Sequence, residues 1–316
     1  MRTCLFVLAL LLISTFARPV DAQTIWLSPQ SGNTQPADYM DLFQPNAPWG
    51  RAASAVSVFE TSLQWVLHGP EPDLRTMFAN LRQRGLSLAV GMAAVRPAGG
   101  CGRGVEGYSD PNQPLREAQR IASLGGTAAF FDFDEPLFYG HVFAGDSRGH
   151  VRCQLSVEDI AHEAARRVAA LRTVFPGARF GDIEPLMGFG PDWQATIAAW
   201  LDAYRQETGN NLAFFAVDLN WSADWQPRME RLAALLASRH VPLYVIYDGG
   251  GLDTSSEAWV TNAARHFSEM ERETRIVPAA ALIMSWNRFP TRVLPENDPG
   301  SLTNLALRYA HWRKSR

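Results

Sequence analysis

Eight short apolar runs recur along the chain, at residues 24–28, 55–60, 86–92, 128–135, 179–184, 212–220, 243–248 and 281–287. Each has the length of a strand, and the segments between them place apolar residues at helical spacing. Ile160, Ala164, Val168, Leu171 and Phe175 form one such stripe. It opens on Ser156-Val-Glu-Asp159, a capping-box pattern, and stops at Pro176-Gly177. Trp193, Ile197, Trp200, Leu201 and Tyr204 form the next, closed by Gly209, and Met229, Leu232 and Leu236 form another. Thr254-Ser-Ser-Glu257 reads as a second capping box, opening a helix that runs to about Arg272. Eight strand–helix units in series predict an α/β fold, a single (β/α)8 TIM barrel with eight parallel strands inside a ring of helices.

The connections have a polarity. Those that follow strands are long, at residues 96–114 and 136–155, whereas returns such as 84–85, 125–126 and 239–240 are short. A barrel keeps its chemistry at the C-terminal ends of its strands, and here those ends carry carboxylates, Asn and Trp. Strand alternation places Phe131 and Phe133 toward the helices and Asp132 and Asp134 inside, with Glu135-Pro136 closing the strand. It places Ile183 outside with Asp182 and Glu184 inside, and Phe215, Val217 and Leu219 outside with Asp218 and Asn220 inside. Asp248 is expected as the last inward residue of the seventh strand, and Glu60 plays that part in the second. Burying so many charges is costly unless they are paired, protonated or hydrated, so stability alone gives no reason to gather them. A purely structural role would bond some of these acids to Arg179, Arg288, Arg292 or backbone amides.

Composition narrows the class. Arg2 followed by an apolar stretch from Leu5 to Phe16 and Val20-Asp21-Ala22 reads as a secretory signal over residues 1–22, leaving a barrel domain over 23–316. No later stretch is long and apolar enough to span a bilayer, so a secreted or periplasmic protein without stable membrane insertion is expected. The formal net charge of −3 gives no basic signature for nucleic acid. Beyond the signal two cysteines remain, Cys101 and Cys153. An even count in an exported chain predicts a disulfide, here between loops that follow the third and fourth strands.

Crowded carboxylates separate one another's pKa values, and glycoside hydrolysis needs two carboxyl groups held apart in this way. The ten Trp and seven Tyr add flat apolar faces of the kind on which sugar rings pack; Trp221, Tyr247 and Trp286 are candidate platforms, with Asn287 beside the last. No His-x-His, Gly-x-Ser-x-Gly, phosphate loop or dinucleotide fingerprint occurs. His141 and His150 lie in the loop after Glu135. Gly249-Gly-Gly251 lacks phosphate-loop spacing and is expected to let the backbone pass close to a ligand or a neighbouring loop.

Asp134-Glu135-Pro136 resembles the Asn-Glu-Pro of clan A retaining glycoside hydrolases, in which that Glu is the acid/base, and Trp286 resembles the clan's platform beneath the reacting sugar. The chain departs from the pattern where the clan has a Glu nucleophile on the seventh strand, offering Asp248 instead, and Asp134 replaces the Asn. Asp132-x-Asp134 is similar to part of the Asp-rich strand of family 18 chitinases, without the Glu two places on. The resemblance implies a TIM-barrel glycoside hydrolase of no assigned family. Glu135 would be its acid/base, and Asp248, Glu184 or Asp218, in that order, its partner. The expected partner molecule is a poly- or oligosaccharide bound by Glu60, Asp132, Asp134, Asp182, Asp218, Asn220 and the Trp and Tyr platforms. No cofactor, no metal and a monomer are expected. Two other functions fit the same acids: a non-catalytic carbohydrate-binding barrel, separated by assaying reducing-end release, and a metal-dependent enzyme, separated by chelator sensitivity.

Overall fold

The computed structural model describes residues 24–315. The leader read at residues 1–22 lies outside them. The elements run β1 (Thr24–Ser28), α1 (Gly50–Ala55), β2 (Val58–Ser62), α2 (Leu63–His68), α3 (Glu71–Arg84), β3 (Ser87–Met92), α4 (Gln113–Ser123) and β4 (Ala128–Asp134). Then follow α5 (Val157–Arg172), β5 (Arg179–Pro185), α6 (Trp193–Thr208), β6 (Phe215–Asp218), α7 (Gln226–Ser238), β7 (Leu243–Tyr247), α8 (Ser256–Ser268), β8 (Ala280–Met284) and α9 (Leu302–Lys314). The strands close in order, each parallel to its neighbours, with β1 pairing β8 from Thr24↔Ala280 to Ser28↔Met284. The protein is a (β/α)8 barrel. The second strand starts three residues later than its apolar run, because the Ala-rich residues 50–55 form α1. The Ser156–Asp159 capping box forms. At α8 the cap is Ser255, whose hydroxyl accepts from the Ala258 N–H at 3.1 Å, one residue past the Thr254 expected from the sequence.

Two apolar layers hold the barrel. The larger lies between strands and helices. The smaller fills the barrel interior with Trp26, Val58, Phe130, Ile183, Phe214, Tyr244, Ile246 and Leu282 among others. The Trp26 ring sits 4.8 Å from Phe130, 5.2 Å from Phe214 and 5.5 Å from Tyr244, and the Arg179 guanidinium lies 4.0 Å over Phe130. This aromatic plug fits because β5 presents Gly181, where a Cβ would lie 2.2 Å from the Phe214 ring. The plug closes the lower barrel and leaves the upper end for polar groups.

Ile183 belongs to the interior layer, which reverses the facing expected for β5: Asp182 and Glu184 point outward. The cause is packing. Phe180 shares their face and stacks in the outer layer on Phe131 and Phe133, at 5.8 and 6.3 Å. Asp182 Oδ2 accepts there from the Trp200 Nε1–H at 2.7 Å. Tyr247 also faces the helices. Its ring is fully buried against Phe267 and Tyr309 and its hydroxyl donates to Glu271 at 2.8 Å, so it offers no platform to a ligand. The predicted disulfide is present, Cys101 bonded to Cys153 with Cα atoms 5.0 Å apart. Among the described residues no helix is long and apolar enough to cross a membrane.

Candidate active site

The C-terminal end of the barrel opens into a cleft of about 860 Å³. Glu60 from β2 and Asp132 from β4 form its floor, 5% and 1% exposed. Asp134, Glu135 and Asp218 are half-buried in its wall, and Glu106 stands exposed at its rim. Trp286, 55% exposed, and the rings of Tyr108 and Tyr139 supply aromatic surface. Among the described residues lining the cleft are these six carboxylates and no Lys, Arg or His. The arginines that a structural role would have used lie elsewhere: Arg179 on the plug, Arg288 over Phe289 and Arg292 paired with Asp298 at 2.8 Å.

Crowding and burial act together on these acids. Burial, then Asp132 and Asp134, hold Glu60 well above the usual carboxylate range. Burial lifts Asp132 to about 7. Burial, then Glu106, Asp132 and Asp218, raise Asp134. Glu135 is raised well above its ordinary value by burial, then by Asp134, Glu106 and Asp218. Asp218 is pushed only to about 6, by burial and Glu106. Crowding and burial of this kind set the carboxyls of one cleft apart in their hold on protons.

The backbone at Glu135 is left-handed, with φ of 51°, a conformation that costs a side-chain-bearing residue about 1–2 kcal/mol. It is clamped on both sides. Glu135 N–H donates to the Ile183 carbonyl and the Glu135 carbonyl accepts from Tyr139, each at 3.0 Å. Behind it the outward Glu184 accepts from the Leu137 and Phe138 N–H groups at 2.7 and 3.0 Å. Glu184 thus positions the turn that follows Glu135 and does not reach the cleft, which removes it as the chemical partner expected from the sequence.

Asp248 is nearly buried beside the cleft. Its Oδ1 accepts from Trp221 Nε1–H at 2.9 Å, its carbonyl accepts from His266 Nδ1 at 2.9 Å, and the two rings stack at 4.1 Å. Burial and Asp218 raise its carboxyl. Neither Asp248 nor Trp221 lines the opening. Asn220, expected inside, is exposed and accepts from the Ser222 N–H at 3.1 Å as a turn residue. Asn287 accepts from the Phe289 N–H at 3.3 Å, next to Trp286. His141 donates to the Leu155 carbonyl at 2.8 Å and His150 bonds Asp146 at 3.0 Å, both inside their own loop. Gly249 admits the Trp259 ring, which a Cβ would meet at 2.4 Å.

Glu106, Tyr108 and Tyr139 were not legible as site residues. Glu106 comes from the Gly-rich connection after β3, which Arg167 of α5 anchors. The buried Arg167 guanidinium donates to the carbonyls of Ala94, Asp110 and Ser109 at 3.2, 2.9 and 3.3 Å. Gly107, with φ of 77°, lets this loop pass the end of β4, since a Cβ would lie 3.1 Å from the Asp134 carbonyl. The Tyr108 hydroxyl accepts from Cys153 N–H at 3.1 Å, so the disulfide, the Glu106 loop and the loop after β4 form one unit. The nearest sequence signal was Cys101, five residues before Glu106. Among the described residues, no three His, Cys, Asp or Glu side chains are grouped so that they could hold a metal ion.

No family model matches the chain, and no curated protein matches it. Solved structures do match, and they are mainly TIM-barrel glycoside hydrolases. The GH53 catalytic domain of Ignisphaera aggregans superposes with a TM-score of 0.51 at 9% identity, over 84% of this chain and 85% of that one. XacCel5A superposes with a TM-score of 0.50 at 13% identity, over 90% and 98%. The 3-keto-D-glucoside 4-epimerase YcjR of E. coli aligns with a TM-score of 0.47 at 13% identity, over 92% and 99%. At such identities the likeness is one of fold.

Proposed function

We propose that this chain is an exported glycoside hydrolase with one catalytic domain over residues 23–316, in which Glu135 is the proton donor and Asp218 its ionised partner. The observation that carries this is the meeting of these two carboxylates in one cleft, in surroundings that raise Glu135 well above its ordinary range and Asp218 to about 6. Glu135 gives its proton to the glycosidic oxygen as the bond to the anomeric carbon breaks. Asp218 stabilises the developing positive charge and either attacks that carbon or takes a proton from the attacking water; the anomer first released, followed by NMR, tells which. Trp286 at the rim offers the sugar a face. The fold shared with the GH53 domain and XacCel5A agrees with this reading.

Asp218 takes the partner role from Asp248 because it lines the cleft, whereas Asp248 is engaged by Trp221 beside it. The test is release of reducing ends from a glycan panel by wild type, Asp218→Asn and Asp248→Asn. The proposal requires Asp218→Asn to lose at least about 10²-fold in kcat and Asp248→Asn to lose less. Glycan binding without cleavage by the wild type would replace the enzyme with a carbohydrate-binding barrel. The apolar leader and the disulfide support export, and N-terminal sequencing of the released protein is expected to begin at Gln23. The protein is further expected to sediment as a monomer and to keep its activity in a chelator.

A further inference from the structure

The cleft floor has chemistry that hydrolysis alone does not require. Both carboxyl oxygens of Asp132 and Oε2 of Glu60 are buried without a hydrogen-bond partner. The two carboxyls flank Gly91, whose missing Cβ would lie 3.4 Å from Asp132 Oδ2 and 3.9 Å from Oε1, the other oxygen of Glu60. Acceptors in such a place require donors, and two acids so placed give up their protons only where positive charge is brought to them. The protein supplies no cation there. Up the wall the acid surface continues through Asp134 and Asp218 to Glu106 at the rim.

We infer that the floor formed by Glu60 and Asp132 is a subsite for a protonated amine, and that the substrate is a glycan bearing free amino groups. This rests on the glycoside hydrolase reading above. An ammonium group brings three donors and one positive charge to a single point, matching acceptors that converge on one point. A sugar hydroxyl brings one donor and no charge. Uronic acid or sulfated glycans would meet a lining of acids with no Lys, Arg or His to receive their charge. A divalent metal would need a third ligand, and no such group of three exists among the described residues.

The test measures binding, apart from turnover. Glucosamine and galactosamine oligomers, in α and β linkages, are each compared with their N-acetylated counterparts by calorimetry or by Trp fluorescence. At least one amine form is expected to bind about tenfold or more tightly than its acetylated pair at about 20 mM salt, and the preference is expected to narrow at about 500 mM. Asp132→Asn and Glu60→Gln should each bring that ratio toward one. If one variant does not fold, the other carries the same test, and the salt dependence of the wild type needs no variant. Equal or weaker binding of the amine form in every pair overturns the inference, and leaves the hydrolase reading intact if the acetylated or neutral glycans are cleaved. Amine-selective binding with no cleavage of any glycan keeps the subsite and overturns the hydrolase reading. A preference that disappears in a chelator and returns with calcium marks a metal site and overturns the inference.

Discussion

Glu135 stands at the one point in the cleft wall where backbone strain, burial and neighbouring charge coincide. Its carboxyl is crowded by Asp134, Glu106 and Asp218, so its proton is held to higher pH than an ordinary glutamate holds one. Glu135→Gln keeps the shape and removes the proton. Turnover is expected to fall about 10²- to 10⁴-fold on substrates with poor leaving groups, and less on activated aryl glycosides, whose departure needs little acid help. Comparing kcat for the two substrate kinds checks this, and full activity on natural glycans would end the assignment. The pH profile follows from the same pair. Activity requires Asp218 without its proton and Glu135 with one, so kcat/KM should rise through about pH 6 and fall on the alkaline side. Asp218→Asn should remove the acid limb. The sequence placed both residues at the mouth of the barrel, but ranked Asp248 and Glu184 ahead of Asp218 as the partner of Glu135. Glu135 and Asp218 end strands whose large apolar residues, Phe131 and Phe133 or Phe215 and Val217, fix the facing of the polar positions between them.

At the level of elements, legibility failed where alternation was ambiguous. In β5 the sequence Phe180-Gly-Asp-Ile-Glu184 puts its aromatic and its acids on the same face, and assigning acids to the interior chose the wrong one. The physical signal was Phe180 itself, because a ring of that size belongs with Phe131 and Phe133 against the helices. Glu106 was hidden for another reason. Its loop has no periodicity, and its place in the cleft is set by tertiary contacts, Arg167 on three carbonyls and a disulfide 52 residues in span. Those anchors can be removed singly. Arg167→Met would leave the Ala94, Ser109 and Asp110 carbonyls without their donor, at a cost of about 3 kcal/mol. A lower thermal midpoint and faster proteolysis within residues 96–112 are expected. Reducing Cys101–Cys153 should weaken the same loop and lower stability by about 4 kcal/mol, a shift readable by denaturant titration with and without reductant.

For the whole molecule, gathering unpaired acids in one end of a barrel makes stability depend on pH. Folding raises Asp132 from the ordinary 3.8 to about 7, so between those values the folded protein holds a proton that the unfolded chain has released. Rising pH therefore favours unfolding across that window, and below it the contribution is complete. The thermal midpoint is expected to be higher near pH 4.5 than near pH 7.5, and Asp132→Asn should flatten the difference; a midpoint that climbs steadily from acid to neutral would contradict this. The left-handed backbone at position 135 has a consequence of another kind. Glycine adopts that conformation without penalty, so Glu135→Gly should relax the chain by about 1 kcal/mol while destroying the proton donor. Heat resistance and catalysis thus pull in opposite directions at this one codon. A random library of this protein screened for survival at high temperature alone would drift toward inert barrels, and a useful thermostable variant must be selected on sugar release at every round.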